Sequence, residues 1–158
     1  MIRLSWWLIP WLLVAQAVPP AARQAEGLSH KHLSAARAEP NLEKRSRKAL
    51  ENADRAFAAA CQAYRSGDLQ RTQAALEEVG ESVALAHESL KQTGKNPLRS
   101  PKHFKHAEIK TRALLRRLDD FRLDMSFEDR DTLDRVRSAI DQVHSELLQG
   151  IMGGKKKK

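Results

Sequence analysis

The fold of this chain is decided by residues 41–90, which read NLEKRSRKALENADRAFAAACQAYRSGDLQRTQAALEEVGESVALAHESL. Apolar and small residues recur there at alternating steps of three and four, first up to Ser66-Gly67 and then again beyond it. That spacing places them on one face of each of two helices. The predicted inward positions are Ser46, Leu50, Ala53, Phe57, Ala60 and Tyr64 in the first helix, and Leu69, Thr72, Leu76, Val79, Val83, Ala86 and Leu90 in the second.

Short polar signals bound these two helices. Asn41 follows Pro40 and is a suitable N-cap for the first helix, and Asp68 is one for the second. Gly67 and Gly94 are predicted to end the helices, because glycine readily adopts the left-handed conformation that terminates them. The link around Gly67 is so short that the two helices must fold back on each other as an antiparallel hairpin.

A second hairpin is predicted after Gly94. Ser100 and Pro101 indicate the start of a third helix. Ser126, with Asp129 in the place of a capping-box acid, indicates the start of a fourth helix that ends at Gly150 or Gly153. The predicted inward positions are Phe104, Ala107, Thr111, Leu114, Leu118 and Phe121 in the third helix, and Leu133, Val136, Ile140, Val143 and Leu147 in the fourth.

Alternating steps of three and four are typical of long helices that cross at about 20°. The sequence therefore predicts an all-α fold, an up-down-up-down antiparallel four-helix bundle built from two long helical hairpins. Residues 60–79 (ACQAYRSGDLQRTQAALEEV) also resemble the turn region of tetratricopeptide repeats, which would imply a different helical architecture. No second copy recurs at the period of about 34 residues that such repeats have.

The first 17 residues have the layout of a secretory signal peptide. Arg3 precedes the apolar run LSWWLIPWLLV over residues 4–14, and Ala15-Gln16-Ala17 offers a cleavage site. The apolar run is shorter than the roughly 20 residues of a membrane span, and it contains Pro10, so cleavage is favoured over an uncleaved anchor. We therefore predict a signal peptide over residues 1–17 and an exported protein, either periplasmic or secreted.

Three further parts are predicted: a flexible lead-in over residues 18–40, the bundle over residues 41–152, and a glycine-lysine tail over residues 153–158. The 158-residue chain has a net charge of +8 and a single cysteine. That residue, Cys61, cannot form an internal disulfide, and it is either buried or paired between chains. A monomer and a homodimer both stay open, because several apolar positions lie outside the main rows: Leu115, Leu123, Leu148, Ile151 and Met152.

The topology predicts that basic residues collect at one end of the bundle, which we call the basic pole. In an up-down bundle, the starts of the first and third helices and the ends of the second and fourth meet at this end. The residues predicted to bind an anionic partner are Lys44, Arg45, Arg47, Lys48, Lys102, Lys105, Lys155, Lys156, Lys157 and Lys158. Lys91, Lys95, Arg99, His103 and His106 belong to the same pole. The opposite pole is predicted to be acidic to neutral.

Cations at the start of a helix face the positive end of its dipole, which costs roughly 0.3–1 kcal/mol each at low salt. Local helix stability therefore does not account for Lys44 or Lys102, whereas an anionic partner or a role in solubility does. Outside the cytoplasm, the expected partners are a lipid headgroup, a phosphorylated glycolipid, a wall polymer or another envelope protein. Peripheral contact with a membrane is compatible with this hypothesis, and a nucleic-acid partner is not expected of an exported protein.

No motif in the sequence points to catalysis. The Asp119-Asp120 pair lies at a predicted helix end, and the chain has no recognisable catalytic triad order, phosphate loop or zinc spacing. The Cys-x-x-Cys-His motif of covalent haem and the Glu-x-x-His motif of di-iron bundles are also missing. We therefore predict no enzyme, no metal site and no cofactor. The alternative is a small-molecule, haem or metal-binding bundle, for which His144 is the candidate haem ligand and His103 with His106 is a weak metal pair.

The predicted function is that of an exported, non-catalytic scaffold or interaction module of the cell envelope, whose basic pole contacts an anionic partner. A further hypothesis rests on Lys158. The terminal lysine of a small helical envelope protein resembles that of the major murein lipoprotein, which implies a covalent link to the cell wall through the side-chain amine. The chain lacks the lipidated cysteine of that protein.

Overall fold

A computed structural model describes residues 32–153, and these residues form an all-α structure with no β-strand. The long helices are α1 (Leu42–Arg65), α2 (Leu69–Gln92), α3 (Pro101–Asp124) and α4 (Asp131–Met152). A 3-10 turn, Phe127–Asp129, precedes α4, and residues 32–37 form a short helix before α1. The predicted signal peptide, the first part of the lead-in and Lys155–Lys158 lie outside the described residues.

The predicted caps of the first hairpin are confirmed. The Asn41 side chain accepts a hydrogen bond from the backbone N–H of Lys44 at 2.9 Å, and that of Asp68 accepts one from the N–H of Arg71 at 3.0 Å. Gly67, between the two helices, has a φ of 76°. A residue with a Cβ atom would be strained in this left-handed conformation. The link between α1 and α2 is therefore only three residues long, 66–68.

The predicted start of the fourth helix at Ser126 is wrong, since α4 begins at Asp131. Ser126 makes no side-chain capping bond, and its backbone N–H donates to the Tyr64 hydroxyl at 2.8 Å. Its carbonyl accepts from the N–H of Asp129 at 3.0 Å, which closes a 3-10 turn instead of an α-helical one. The contact with Tyr64, at the end of α1, fixes the chain in this turn, and a local capping signal could not reveal that contact.

The predicted core is confirmed at nearly every position. Of the inward positions, Tyr64 and Val143 are half-buried and Leu69 is 42% exposed, while the others are buried. One apolar cluster includes Leu76, Leu118 and Leu133. A second, nearer the start of α1, includes Leu50 and Phe104.

The sequence patterns missed a second buried face of α1. Ala49, Ala56 and Ala63 are fully buried, although they lie outside the predicted row. Ala49 and Ala56 share a helix face with Asn52, which is three residues from the first and four from the second. The Asn52 side chain donates a hydrogen bond to Ser82 of α2 at 3.0 Å. This face therefore packs against α2, and its small side chains permit the close approach of the two helices, which have the most extensive contact of any helix pair.

Each helix also contacts a helix of the other hairpin. α1 packs beside α3, and α2 packs beside α4, whereas α2 and α3 make only a minor contact. Residue numbers rise together along each of these pairs, so their members run in the same direction. The contacts that show this are Glu43 to His103 and Asp54 to Arg117 for α1 and α3, and Glu77 to Arg135 and His87 to Glu146 for α2 and α4.

The described end of the lead-in is packed against the bundle. Within the helical residues 32–37, Leu33 and Ala36 are 3% and 1% exposed. Arg37 forms an ion pair with Glu81 of α2 at 2.9 Å. This part of the region predicted to be flexible therefore contributes to the core.

Candidate anion-binding site

Four elements of the structure meet at the basic pole. The Glu43 carboxylate, in the first turn of α1, contacts Lys95 of the α2–α3 loop at 2.6 Å and His103 of α3 at 3.0 Å. The end of α4 reaches the same loop, since a Cβ atom added at Gly150 would lie 3.2 Å from Cγ of Pro97. The starts of α1 and α3, the loop and the end of α4 thus form one surface.

A groove runs between the first turns of α1 and α3, and we call it the basic groove. Its volume is about 450 Å³. A second cavity of about 520 Å³ adjoins it beside the α2–α3 loop and shares Glu43, Lys102, His103 and Lys105 with it. The residues that line the basic groove are Glu43, Ser46, Arg47, Lys102, His103, Lys105, His106 and Ile109.

Three of the predicted site residues, Arg47, Lys102 and Lys105, line this groove and are exposed. Within residues 32–153, no carboxylate forms an ion pair with Lys102 or Lys105. Arg47 has only a long contact of 3.9 Å with Glu51, one helical turn away. An exposed pair of that kind contributes little, so the positive charge of these residues is largely uncompensated.

The other predicted cations of α1 are placed differently. Lys48 forms an ion pair with Glu39 at 2.6 Å, and Arg45 donates to the Glu39 carbonyl at 2.8 Å. Both residues therefore hold the chain that enters α1. Lys44 is exposed in the first turn. Lys155, Lys156, Lys157 and Lys158 lie outside the described residues.

Glu43 is the single acid that lines the basic groove. Its hydrogen bond from Lys95 lowers the pKa of its carboxyl group, and nearby His103 lowers it further. The carboxylate therefore stays ionised and compensates part of the positive charge of Lys95 and, less closely, of Lys102. Arg47, Lys102 and Lys105 are left as the groups available to an anion in this groove.

The parallel direction of α1 and α3 adds to the positive potential. Both helices begin at this pole, so the positive ends of their dipoles lie on the same side of the molecule. Lys102 lies in the first turn of α3, where its charge opposes the dipole of its own helix. Charge placed in this way favours the binding of an anion over the stability of the helix.

Sequence reasoning missed two residues of the basic groove. Ser46 fits the core row of α1 and is 3% exposed, yet it also lines the groove. Ile109 is outside the predicted rows and is 54% exposed. No signal in the sequence identified either of them, because their position depends on which helix lies beside α1.

Two acids of the opposite pole, Asp119 and Asp134, are bound by arginines. Asp119 bonds to Arg137, and Asp134 bonds to Arg122 through both carboxylate oxygens, at 2.7 Å and 3.3 Å. The hydrogen bond from Arg122 lowers the pKa of Asp134. These two ion pairs therefore join α3 to α4.

Two histidines of the bundle, His144 and His87, pair with glutamates on neighbouring helices. His144 contacts Glu108 at 3.1 Å, and His87 contacts Glu146 at 3.6 Å. In the part of the chain that the structure describes, no three side chains of histidine, cysteine, aspartate or glutamate come close enough to share a metal ion. Cys61 is half-buried, and burial raises the pKa of its thiol, which keeps it protonated.

His87 gives the bundle a pH-dependent stability. Burial lowers the pKa of its imidazole from the ordinary value of 6.5, an effect larger than the opposing one of Glu146. The unfolded chain therefore binds a proton more readily, so the contribution of neutral His87 is complete above pH 6.5 and is lost as the pH falls below it. We expect the wild type to lose more stability than His87→Gln between pH 7 and pH 5 in urea unfolding.

The matched control for this measurement is His106→Gln, because His106 is exposed. That variant should lose stability with falling pH as steeply as the wild type. An identical pH dependence of His87→Gln and wild type would contradict the assignment.

No protein-family model, curated protein sequence or solved structure that was compared with this chain is significantly similar to it. In the described residues, no helix has both the length and the apolar character required to cross a bilayer.

Proposed function

We propose that this protein is an exported, non-catalytic helical module of the cell envelope whose basic pole binds an anionic partner. The observation that carries the proposal is the basic groove, where two helix starts present Arg47, Lys102 and Lys105 with little compensating charge. Phosphate-bearing headgroups of lipids or glycolipids and anionic wall polymers have the complementary charge. Exposed cations near an anionic membrane surface contribute about 1 kcal/mol each.

The architecture that we propose is the up-down-up-down bundle of two antiparallel hairpins, with α1 beside α3 and α2 beside α4. The three-residue turn at Gly67 supports the first hairpin. The pairs Asp119–Arg137 and Arg122–Asp134 support the second, because residue numbers rise along α3 as they fall along α4. This arrangement gathers the basic elements at one end and leaves the sides of the bundle as a rigid spacer.

The C-terminal lysines also support the proposal of an anionic partner. α4 ends at the basic pole, and the chain continues from Gly153 to Lys155–Lys158. At most five residues separate these lysines from Gly153 along the chain. Their charge therefore adds to the attraction that an anionic surface experiences there.

The proposal is tested by co-sedimentation of the full protein, as recovered from the envelope fraction of a producing cell, with lipid vesicles. Vesicles of equal parts phosphatidylglycerol and phosphatidylcholine are compared with vesicles of phosphatidylcholine alone. We expect binding to the anionic vesicles at about 0.01 M salt and its loss at about 1 M, because the Debye length falls from about 30 Å to about 3 Å. Equal binding to both vesicle types, or no binding at low salt, would overturn the lipid form of the proposal.

A further inference from the structure

Several large apolar side chains are exposed at the basic pole. Leu98, in the α2–α3 loop, is 55% exposed, and Met152, at the end of α4, is 74% exposed. Leu98 lies beside the end of α4, because a Cβ atom added at Gly153, which follows Met152, would lie 3.3 Å from Cδ1 of Leu98. The pole thus combines cations with a small apolar surface.

We propose that Leu98 and Met152 insert into the apolar boundary of a lipid bilayer while the surrounding cations contact anionic headgroups. This inference rests on the proposed function and narrows its partner to an anionic bilayer surface. Proteins that lie on membranes combine buried apolar area with electrostatic attraction in this way. A wall polymer or a soluble glycan offers polar groups alone and would leave both side chains in water.

The loop that carries Leu98 is held in place by its own hydrogen bonds. The Asn96 side chain accepts from the N–H of Leu98 at 2.9 Å, and the Asn96 carbonyl accepts from the N–H of Ser100 at 2.9 Å. Pro97 packs against Gly150 of α4, and Lys95 is bound to Glu43 of α1. The exposed position of Leu98 is therefore fixed before any partner binds, which lowers the entropic cost of its insertion.

The charges around Leu98 match an anionic surface. Arg99 follows it directly, and Lys102 lies in the first turn of α3 beyond the loop; both are exposed, and neither forms an ion pair within residues 32–153. Ile109, which is also exposed, lines the basic groove beside Lys105. Apolar and basic side chains thus alternate over the same end of the bundle.

The opposite pole provides an internal comparison. Leu123 and Phe127 are 77% and 81% exposed there, so exposure alone does not distinguish the two ends. Each has one acidic neighbour in the chain, Asp124 beside Leu123 and Glu128 beside Phe127. These two residues match Leu98 and Met152 in exposure but lie at the opposite end of the bundle, and they are therefore matched controls.

The test places an environment-sensitive fluorophore at single positions of the full protein. Cys61→Ser removes the native thiol, and Leu98→Cys or Phe127→Cys then provides the labelling site for a nitrobenzoxadiazole probe. With phosphatidylglycerol-containing vesicles, we expect the probe at position 98 to shift to shorter wavelength and to be quenched by spin-labelled acyl chains. The probe at position 127 should stay in water. A probe reports the surroundings of its own residue, whichever other part of the chain touches the vesicle.

Affinity provides the second measurement. Leu98→Ser combined with Met152→Ser should bind anionic vesicles about tenfold more weakly than wild type, which corresponds to about 1.4 kcal/mol. Leu123→Ser combined with Phe127→Ser should bind like wild type. Salt-sensitive vesicle binding with position 98 still in water would overturn the insertion and leave the proposed function intact. Failure of the protein to bind anionic vesicles at low salt would overturn both.

Discussion

Replacing Arg47, Lys102 and Lys105 together with glutamine is expected to weaken binding to anionic vesicles by about 100-fold. Each cation contributes about 1 kcal/mol near an anionic surface, and about 1.4 kcal/mol corresponds to a factor of ten in affinity. Glutamine keeps most of the length and polarity of the side chains but removes the charge that the basic groove presents. Binding isotherms at low salt, from co-sedimentation or from fluorescence, measure the change.

The folded state of this variant should be at least as stable as that of wild type. Lys102 opposes the dipole of α3, so its neutralisation removes an unfavourable interaction of about 0.3–1 kcal/mol. Loss of binding together with unchanged or raised stability in urea would separate a binding role from a structural one.

The matched control removes the same number of positive charges from residues outside the basic pole. Arg65, Arg71 and Arg116 lie outside the basic pole, and none of them forms an ion pair within the described part of the chain. Their combined replacement with glutamine should reduce vesicle affinity much less than the variant of the basic groove. An equal reduction in both variants would mean that net charge, rather than its position on the molecule, determines binding.

Truncating Leu118 to alanine is expected to lower the free energy of unfolding by about 2–5 kcal/mol. Leu118 is fully buried in the cluster that also contains Leu76 and Leu133, so elements from both halves of the chain surround it. The folded state loses the free energy gained by burying the removed methyl groups. The cavity left behind destabilises it further, because the surrounding helices relax only in part. Since small domains are stable by about 5–15 kcal/mol, this is a large share of the total.

Leu123→Ala is the control for this variant, because it makes the same truncation in the same helix at a residue that is 77% exposed. Its unfolding free energy should stay within about 0.5 kcal/mol of wild type. Urea unfolding followed by circular dichroism measures both variants. Equal destabilisation by the two would contradict the packing of α3 described above.

Local patterns in the sequence identified most of the secondary structure and the core. The spacing of Leu76, Val79 and Val83 needs only the helical period to place these residues on one face, and all three are buried. Asn41 and Asp68 each cap a helix by bonding to the backbone N–H three residues further on, so both caps can be predicted from the local sequence. The start of α4 could not be predicted from the local sequence, because the backbone N–H of Ser126 is bonded to the hydroxyl of Tyr64, which is distant in sequence.

The candidate site was predicted in composition but not in shape. The cations at the starts of the first and third helices were assigned to one pole from the topology, and Glu43 of α1 does contact His103 of α3. The sequence pattern did not distinguish Lys102, which forms no ion pair within the described residues, from Lys48, which forms an ion pair with Glu39. Nor did it indicate that Leu98 stands exposed beside the end of α4.

Local periodicity was enough to predict the four long helices, their apolar faces and the accumulation of basic residues near particular helix ends. These properties follow from interactions between residues at most four apart, and such interactions are fixed by the order of the residues. The position of α1 beside α3, the second buried face formed by Ala49 and Ala56, and the set of described cations without an ion pair became known only from the packed fold. Those features depend on which surfaces of distant segments meet, and the periodicity of a single helix carries no information about its neighbour.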